Sequence, residues 1–299
     1  MRTGVVVSVL VLVTIGLAFL IRYGSFNGQH EKTAEVAGKA APAPKKKELA
    51  IAERWDVPAV LKEISGLAYI SPGRFACVQD ETGSVFIYRT GEERVEKEIP
   101  FGKGGDYEDL AIAGNSVFVL ESGGKIIEIE GYMDPSPKVK EYPSILTQFD
   151  SEGLWFDKRS NRLLIAVKEG DDEDEEGNDT TRFALVYGFD LKSRHMTREP
   201  VFRVPLEEPV LPKEKKKGPQ FKPSAIAVHP STGEIYLLEG VRSRLLILGP
   251  DGKPKRLHRF DGKDLKQPEG MTFSPDGGLY VCGEGSKKEP GVIARITGL

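Results

Sequence analysis

The chain has 299 residues, of which 39% are hydrophobic, and its formal net charge at pH 7 is -3. Its 33 glycines and 20 prolines exceed average usage, which argues against a bundle of long helices and favours many short strands joined by turns. Lys and Arg are in excess in residues 1–48, so the rest of the chain is acidic. An acidic body argues against nucleic acid as a partner, because phosphate binding needs a basic face.

The amino terminus contains an apolar run over residues 4–21. Eighteen such residues in a helix span about 27 Å, which nearly crosses a bilayer. A cleaved signal peptide is the alternative, although its apolar stretch is usually shorter and no small-residue cleavage pattern follows this run. We therefore predict a transmembrane anchor or signal anchor in residues 1–23 and a flexible linker in residues 24–48. We expect the body to lie on the extracytoplasmic side of a bacterial cell membrane.

One short motif recurs five times in the remaining chain. Its copies are Ile64-Ser65-Gly66-Leu67-Ala68, Tyr107-Glu108-Asp109-Leu110-Ala111, Ser151-Glu152-Gly153-Leu154-Trp155, Pro223-Ser224-Ala225-Ile226-Ala227 and Pro268-Glu269-Gly270-Met271-Thr272. The Ser/Glu positions are 43, 44, 72 and 45 residues apart. The long interval contains an acidic run at 171–176 and a basic run at 213–217, so insertions explain its length. A repeat of about this size is typical of a four-stranded propeller blade.

Each motif is followed by the same order of strand-like runs, separated by turn residues. The second run is apolar, as expected of an inner strand buried on both faces, and the fourth run is more polar, as expected of an outer strand. The last unit ends after its third run, and an unassigned run at 49–55 precedes the first motif. We predict an all-β fold over residues 49–299: a five-bladed β-propeller of four-stranded blades, closed by the N-terminal strand pairing with the last blade. A β-sandwich or two small β domains are the alternatives.

This geometry places two rings of side chains at one mouth of the central channel, because the second strand of a blade returns antiparallel to the first. The first ring consists of Ser65, Glu108, Glu152, Ser224 and Glu269. The second ring consists of Asp80, Glu121, Lys168, Glu239 and Glu284. Seven acids and one lysine in a narrow mouth would repel one another unless a cation neutralised them. The first ring offers only carboxylate and hydroxyl oxygens, so we predict that it binds Ca²⁺ rather than zinc or copper.

Two other interpretations of the acidic ring remain. The glutamates could accept hydrogen bonds from backbone amides of neighbouring blades, or their mutual repulsion could raise their pKa values. A Ser-His-Asp hydrolase is disfavoured, because the mouth contains no histidine to activate a serine.

From about residue 49 to 299 the chain resembles the SdiA-regulated, YjiK-like family. The strings that carry the resemblance are Glu63 to Leu67, Asp106 to Leu110, Glu152 to Leu154 with Asn161 to Leu164, Pro223 to Pro230 and Pro268 to Gly277. The resemblance implies an exported or membrane-anchored five-bladed propeller with a calcium site, distantly similar to NHL-repeat propellers. Some propellers of that wider group, the paraoxonase-like and gluconolactonase-like enzymes, are metal-dependent hydrolases whose channel carries asparagines that this ring lacks.

The sequence thus predicts a calcium-binding propeller of the cell envelope that acts as a binding module for an unidentified protein or small molecule. A calcium-dependent hydrolase of lactones or phosphoesters is the alternative, with a ring glutamate activating a metal-bound water. A third hypothesis takes the acidic and basic runs of the long unit as a protein-docking surface.

Overall fold

The structure, a computed structural model, describes residues 49–169, 182–212, 221–260 and 265–299. The predicted anchor at 4–21, the linker at 24–48 and the charged runs at 171–176 and 213–217 lie outside these residues. In the part of the chain that is described, no helix has the length and apolar character needed to cross a membrane. One turn of 3-10 helix, Ala59–Leu61, interrupts an otherwise all-β arrangement.

The first two blades are four-stranded antiparallel sheets whose strands follow one another in chain order. Blade 1 consists of β2 (Ile64–Ser71), β3 (Arg74–Gln79), β4 (Ser84–Arg89) and β5 (Arg94–Pro100). Blade 2 consists of β6 (Tyr107–Ala113), β7 (Ser116–Glu121), β8 (Ile126–Glu130) and β9 (Lys138–Tyr142). Exposure rises from the inner strands to the outermost one, which confirms the order predicted from the polarity of the runs.

Blades 3 and 4 keep the same order, with one difference. Blade 3 contains β10 (Asp150–Asp157), β11 (Arg162–Glu169), β12 (Phe183–Asp190), β13 (His195–Met196) and β14 (Phe202–Pro205). Blade 4 contains β15 (Ala225–Val228), β16 (Ile235–Glu239), β17 (Arg244–Leu248) and β18 (Pro254–Arg259). In blade 3 the outer position is shared by two short strands, because β13 and β14 pair with different halves of β12.

The last blade closes the molecule. It consists of β19 (Pro268–Phe273), β20 (Leu279–Gly283), β21 (Val292–Thr297) and the N-terminal β1 (Ala50–Asp56). Strand β1 pairs antiparallel with β21, with Ala50 opposite Thr297 and Asp56 opposite Val292. This confirms the predicted closure, which joins the two ends of the described body in one sheet and removes an open edge.

The core is divided among the gaps between neighbouring blades. The buried hydrophobic residues of the described chain form five clusters, one in each gap. Cys77 and Cys282 are both free and buried, in the cluster between blades 5 and 1. Each sheet therefore packs both of its faces, which explains why the inner strands are apolar without alternation.

The innermost strands contact one another in a ring, β2 to β6, β6 to β10, β10 to β15, β15 to β19 and β19 back to β2. Their approach is close enough to require glycine. A Cβ atom on Gly270 would lie 2.9 Å from both the Cα of Gly66 and the carbonyl oxygen of Ser65 in blade 1. The glycine that follows the ring residue in the repeat thus lets the blades approach one another around the axis.

Candidate metal centre

The first-ring residues lie in irregularities of the innermost strands. At the first-ring position of β2, β6, β10 and β19 the pairing with the next strand skips a residue, and the skipped residues are Ser65, Glu108, Glu152 and Glu269. Ser224 directly precedes β15, and its N–H donates a hydrogen bond to the carbonyl of Leu238 (2.8 Å). A bulged residue leaves the ladder and turns its side chain in a new direction. The repeated motif therefore encodes a repeated bulge at one end of the channel.

Carboxylates from blades 2 and 3 converge at this end. Glu108, Asp150 and Glu152 each offer one carboxylate oxygen, and the three oxygens lie within 4.8 Å of one another. Glu152 is buried, with 6% of its surface exposed, whereas Glu108 and Asp150 are half-buried. Lys168 is the adjoining cation: its Nζ lies 2.5 Å from Oε1 of Glu152 and 3.9 Å from Oδ2 of Asp150. We call these four residues with Glu269 the axial cluster.

Burial and crowding raise the pKa values of the clustered glutamates. Burial is the main cause for Glu108, whose pKa rises to about 9, and the charges of Glu152, Asp106 and Asp150 add to it. Burial also raises the pKa of Glu152, to about 7, against the opposing hydrogen bond from Lys168. Burial is thus the main cause of the raised pKa values, and repulsion by neighbouring carboxylates adds to it.

The acidic region extends into blades 5 and 1. Burial, with the charges of Glu152 and Glu284, raises the pKa of Glu269 to about 8. The pKa values of Glu284 and Asp80 are also raised, again mainly by burial. Asp80 has a buried carboxylate oxygen, Oδ1, without a hydrogen-bond partner. The structure thus brings Glu108, Glu152, Glu269, Lys168, Asp80 and Glu284 into one electrostatically connected region.

The two ring serines make a different contact. The hydroxyl of Ser65 donates a hydrogen bond to the backbone carbonyl of Tyr107 in blade 2 (2.7 Å). The hydroxyl of Ser224 donates one to the carbonyl of Pro268 in blade 5 (2.9 Å). Both serines are buried, with 4% of their surface exposed. Their hydroxyl protons therefore connect neighbouring blades, and their role as metal ligands stays a prediction.

Two members of the second ring are neutralised by their own cations. Glu121 pairs with Lys125, 2.5 Å away across the turn to β8. Glu239 is fully buried and pairs with Arg242 (2.6 Å) and with Arg244, the residue opposite it on β17. Its Oε1 also accepts a hydrogen bond from the backbone N–H of Lys222 (3.0 Å). These two glutamates lack the uncompensated charge of the axial cluster.

Sequence reasoning missed Asp150, although a signal for it exists. Asp150 stands two residues before Glu152, and the same offset gives Asp106 before Glu108 and Glu63 before Ser65. In a regular strand, residues two apart share a face, but a bulge at the ring position interrupts this alternation in all three copies. All three acids act electrostatically on the cluster or its neighbours. In these three copies of the repeat, the residue two before the ring position is therefore a third source of negative charge.

A backbone amide of a neighbouring blade is bound by another carboxylate, that of Asp109. This side chain is fully buried, and its Oδ2 accepts a hydrogen bond from the N–H of Leu154 in blade 3 (2.8 Å). Its Oδ1 accepts one from the N–H of Leu110 (2.8 Å). Asp109 occupies the position held by glycine in three other copies of the motif. Its carboxylate thus links blades 2 and 3.

Comparison with known proteins identifies the fold. No protein-family model and no curated protein matches the chain. Among solved structures, Myxococcus xanthus glutaminyl cyclase is similar at 14% identity, over 83% of this chain and 95% of that one, with a TM-score of 0.56. A Bacteroides thetaiotaomicron protein of unknown function is similar at 10% identity, over 83% and 76%, with a TM-score of 0.50. At such identities the likeness shows a shared fold, and the resemblance to the SdiA-regulated family stays a prediction.

Proposed function

We propose that this chain is a calcium-binding β-propeller of the bacterial cell envelope that works as a binding module. The observation that carries the proposal is the convergence of three carboxylate oxygens, from Glu108, Asp150 and Glu152, within 4.8 Å of one another. Calcium prefers oxygen ligands and a flexible geometry. A donor set of carboxylates without histidine or cysteine suits it better than zinc or copper.

The electrostatics of the axial cluster support a bound cation. Three glutamates have pKa values raised to about 7, 8 and 9, so at neutral pH their ionised forms are disfavoured by the fold. A divalent cation would reverse this preference, because an adjacent positive charge stabilises the carboxylate form. Calcium would supply a positive charge that joins blade 2, through Glu108, to blade 3, through Asp150 and Glu152. Glu269 lies within electrostatic reach of Glu152 and would sense the same charge.

Thermal unfolding of the full chain in detergent tests this proposal. An ion that binds only the folded state stabilises it by about 2.7 kcal/mol when present at a hundred times its dissociation constant. We expect CaCl₂ to raise the Tm of the EDTA-treated protein and the Glu108→Gln/Glu152→Gln variant to lose this rise. Glu121→Gln is the matched control, because Glu121 lies at the end of β7 but is paired with Lys125. An equal rise in wild type and double variant would refute binding at this cluster.

A metal-dependent hydrolase of lactones or phosphoesters is a second candidate. The pKa values of about 7 for Glu152 and 8 for Glu269 favour it, because a general acid or base works best when its pKa lies near the operating pH. A panel of lactones and phosphoesters should be assayed with CaCl₂, using wild type and Glu108→Gln. Turnover that needs calcium and is lost in the variant would favour the hydrolase. Calcium binding without turnover would favour the binding module.

Membrane anchoring through residues 4–21 and an extracytoplasmic position of residues 49–299 belong to the same proposal. The apolar run and the resemblance to an exported or anchored family support them. Cell fractionation should recover the full chain with membranes, resistant to high-salt extraction. Protease added to intact spheroplasts should degrade the body. Recovery in the soluble cytoplasmic fraction would refute both points.

A further inference from the structure

Lys168 occupies an unusual place in the repeat. The corresponding second-ring positions of the other four blades carry acids, namely Asp80, Glu121, Glu239 and Glu284. The pairing of β10 with β11 skips Lys168 on β11 and Glu152 on β10. Two bulges therefore face each other at this end of the sheet. In the corresponding pairings of blades 1, 2 and 5, the bulge at the ring position lies on the innermost strand alone. Because bulges redirect side chains, this local irregularity places the ammonium group of Lys168 against the carboxylate of Glu152.

The ammonium group of Lys168 contacts two carboxylates of the axial cluster and acts electrostatically on the other two. Its Nζ lies 2.5 Å from Oε1 of Glu152 and 3.9 Å from Oδ2 of Asp150. Its charge also acts on Glu108 in blade 2 and on Glu269 and Glu284 in blade 5. Within the described structure, Lys168 is thus the cation that partly neutralises the carboxylates of the cluster. Its side chain is 29% exposed.

A metal ion on the same carboxylates would come into conflict with this ammonium group. Calcium lies 2.3–2.6 Å from its oxygen ligands. An ion in contact with Glu108, Asp150 and Glu152 would therefore lie within a few ångströms of Lys168 Nζ, because two of the three carboxylates are shared. Positive charges at that separation repel each other, and the partial burial of Lys168 and Asp150 reduces the screening by water.

We propose that Lys168 is a built-in competitor for the ion: its ammonium group holds Glu152 and Asp150 in the metal-free protein and is displaced when a divalent cation binds. This inference rests on the proposed function, since it concerns the same carboxylates. Lys168 stabilises the metal-free fold by offsetting repulsion in the cluster. It also lowers the affinity for the ion, because the ammonium group must be moved and solvated before the ion can bind. A variant without the lysine charge should therefore be less stable without metal but bind the ion more tightly. A purely structural role of Lys168 would predict the loss of stability without the gain in affinity.

Calorimetric titration of the full chain in detergent, after removal of metals with EDTA, tests the proposal with CaCl₂ as the probe. We expect Lys168→Met to bind calcium about tenfold or more tightly than wild type, since a nearby repulsive charge has been removed. The same variant should melt at a lower temperature in EDTA. Lys168→Arg keeps the charge and should retain the wild-type affinity. Lys125→Met removes a lysine that pairs with Glu121 and Glu141, and it should leave calcium affinity unchanged.

The outcomes separate this inference from the proposed function. If wild type and Lys168→Met bind calcium equally, or the variant binds more weakly, Lys168 is not a competitor and the inference is overturned while the calcium proposal stands. If only Lys168→Met binds calcium, the inference stands and wild-type calcium binding fails. If neither binds, both fail. Should Lys168→Met not fold in EDTA, refolding in CaCl₂ but not in NaCl of equal ionic strength would support the inference, and no refolding in either salt would overturn it.

Discussion

Two buried carboxylates, Glu239 of the second ring in blade 4 and Glu152 of the first ring in blade 3, have opposite surroundings. Glu239 is fully buried and contacts two guanidinium groups, those of Arg242 and Arg244, plus one backbone amide. Glu152 shares one ammonium group, that of Lys168, with Asp150, and Glu108 lies on its other side.

The difference shows that the local ratio of cations to carboxylates distinguishes a carboxylate with a structural role from one in a candidate metal site. Around Glu239 the positive groups outnumber the carboxylate, so its charge is satisfied within the fold. Around Glu152 three carboxylates share one ammonium group, and the excess negative charge favours either protons or an added cation. Burial alone does not distinguish the two, since both side chains are largely removed from water.

The largest expected effect comes from breaking the satisfied pair. Arg244→Met would leave Glu239 buried with less compensation, and removing one partner of a buried ion pair typically costs about 3–5 kcal/mol. Arg244 also packs against the ring of Phe221, its guanidinium carbon 5.3 Å from the ring centroid. Urea unfolding in EDTA should show this loss of stability. Added CaCl₂ should raise the Tm of the variant by as much as it raises that of wild type, because blade 4 does not supply the proposed ligands.

Arg256→Met is the control for this comparison. Arg256 is exposed and pairs with Glu234 (3.0 Å), which Lys255 also neutralises. Exposed ion pairs contribute about 0–1 kcal/mol. If Arg244→Met were no more destabilising than Arg256→Met, the buried ion pair of Glu239 would not contribute to the stability of the fold as proposed.

The next largest effect is on the pH dependence of stability. The folded pKa values of Glu152, Glu269 and Glu108, about 7, 8 and 9, lie above the ordinary value of 4.5. The folded state therefore binds more protons than the unfolded state, and the metal-free protein should lose stability as pH rises from about 5 to 9. We expect a decrease of about 2 kcal/mol or more in the free energy of unfolding over this range. Urea unfolding at a series of pH values in EDTA would measure it.

Calcium and the glutamine variants sharpen this second prediction. A cation that binds the ionised carboxylates should flatten the pH profile, because it compensates the charge that high pH creates. Glu108→Gln should also flatten it, since the amide cannot ionise. A metal-free profile that rises from pH 5 to 9 would contradict the raised pKa values.

Much of the fold could be predicted from the sequence because short segments of each repeat carry the signals for its strands and turns. Apolar inner runs and turn residues recur in every unit, a glycine follows the ring position in three of the five copies, and three of the four spacings are 43 to 45 residues. These signals predicted the five blades and the closure by β1. The split outer position of blade 3 was missed, because β13 has only two residues, His195 and Met196. Such a short strand is set by the length of its partner β12 rather than by its own composition.

The candidate site was predicted less completely, for physical reasons that particular residues make clear. Ring membership could be derived from strand order, but neutralisation depends on contacts between strands. Arg244 stands opposite Glu239 on the next strand, and this cross-strand pair becomes visible only when the register is known. Alternation along a strand would place Asp150 on the same face as Glu152. The bulges between them make that rule unreliable when the register is not known.

The smallest expected effect concerns the ring serines and separates blade contacts from ion binding. Ser65→Ala removes one buried hydrogen bond, to the carbonyl of Tyr107, and should cost about 1 kcal/mol. Ser224→Ala should cost a similar amount, through the carbonyl of Pro268. Because these hydroxyl protons connect backbones of adjacent blades, we expect calcium affinity in calorimetric titration to remain close to that of wild type. A large loss of affinity in either variant would instead make that serine an oxygen ligand and extend the centre across blades 1 and 4.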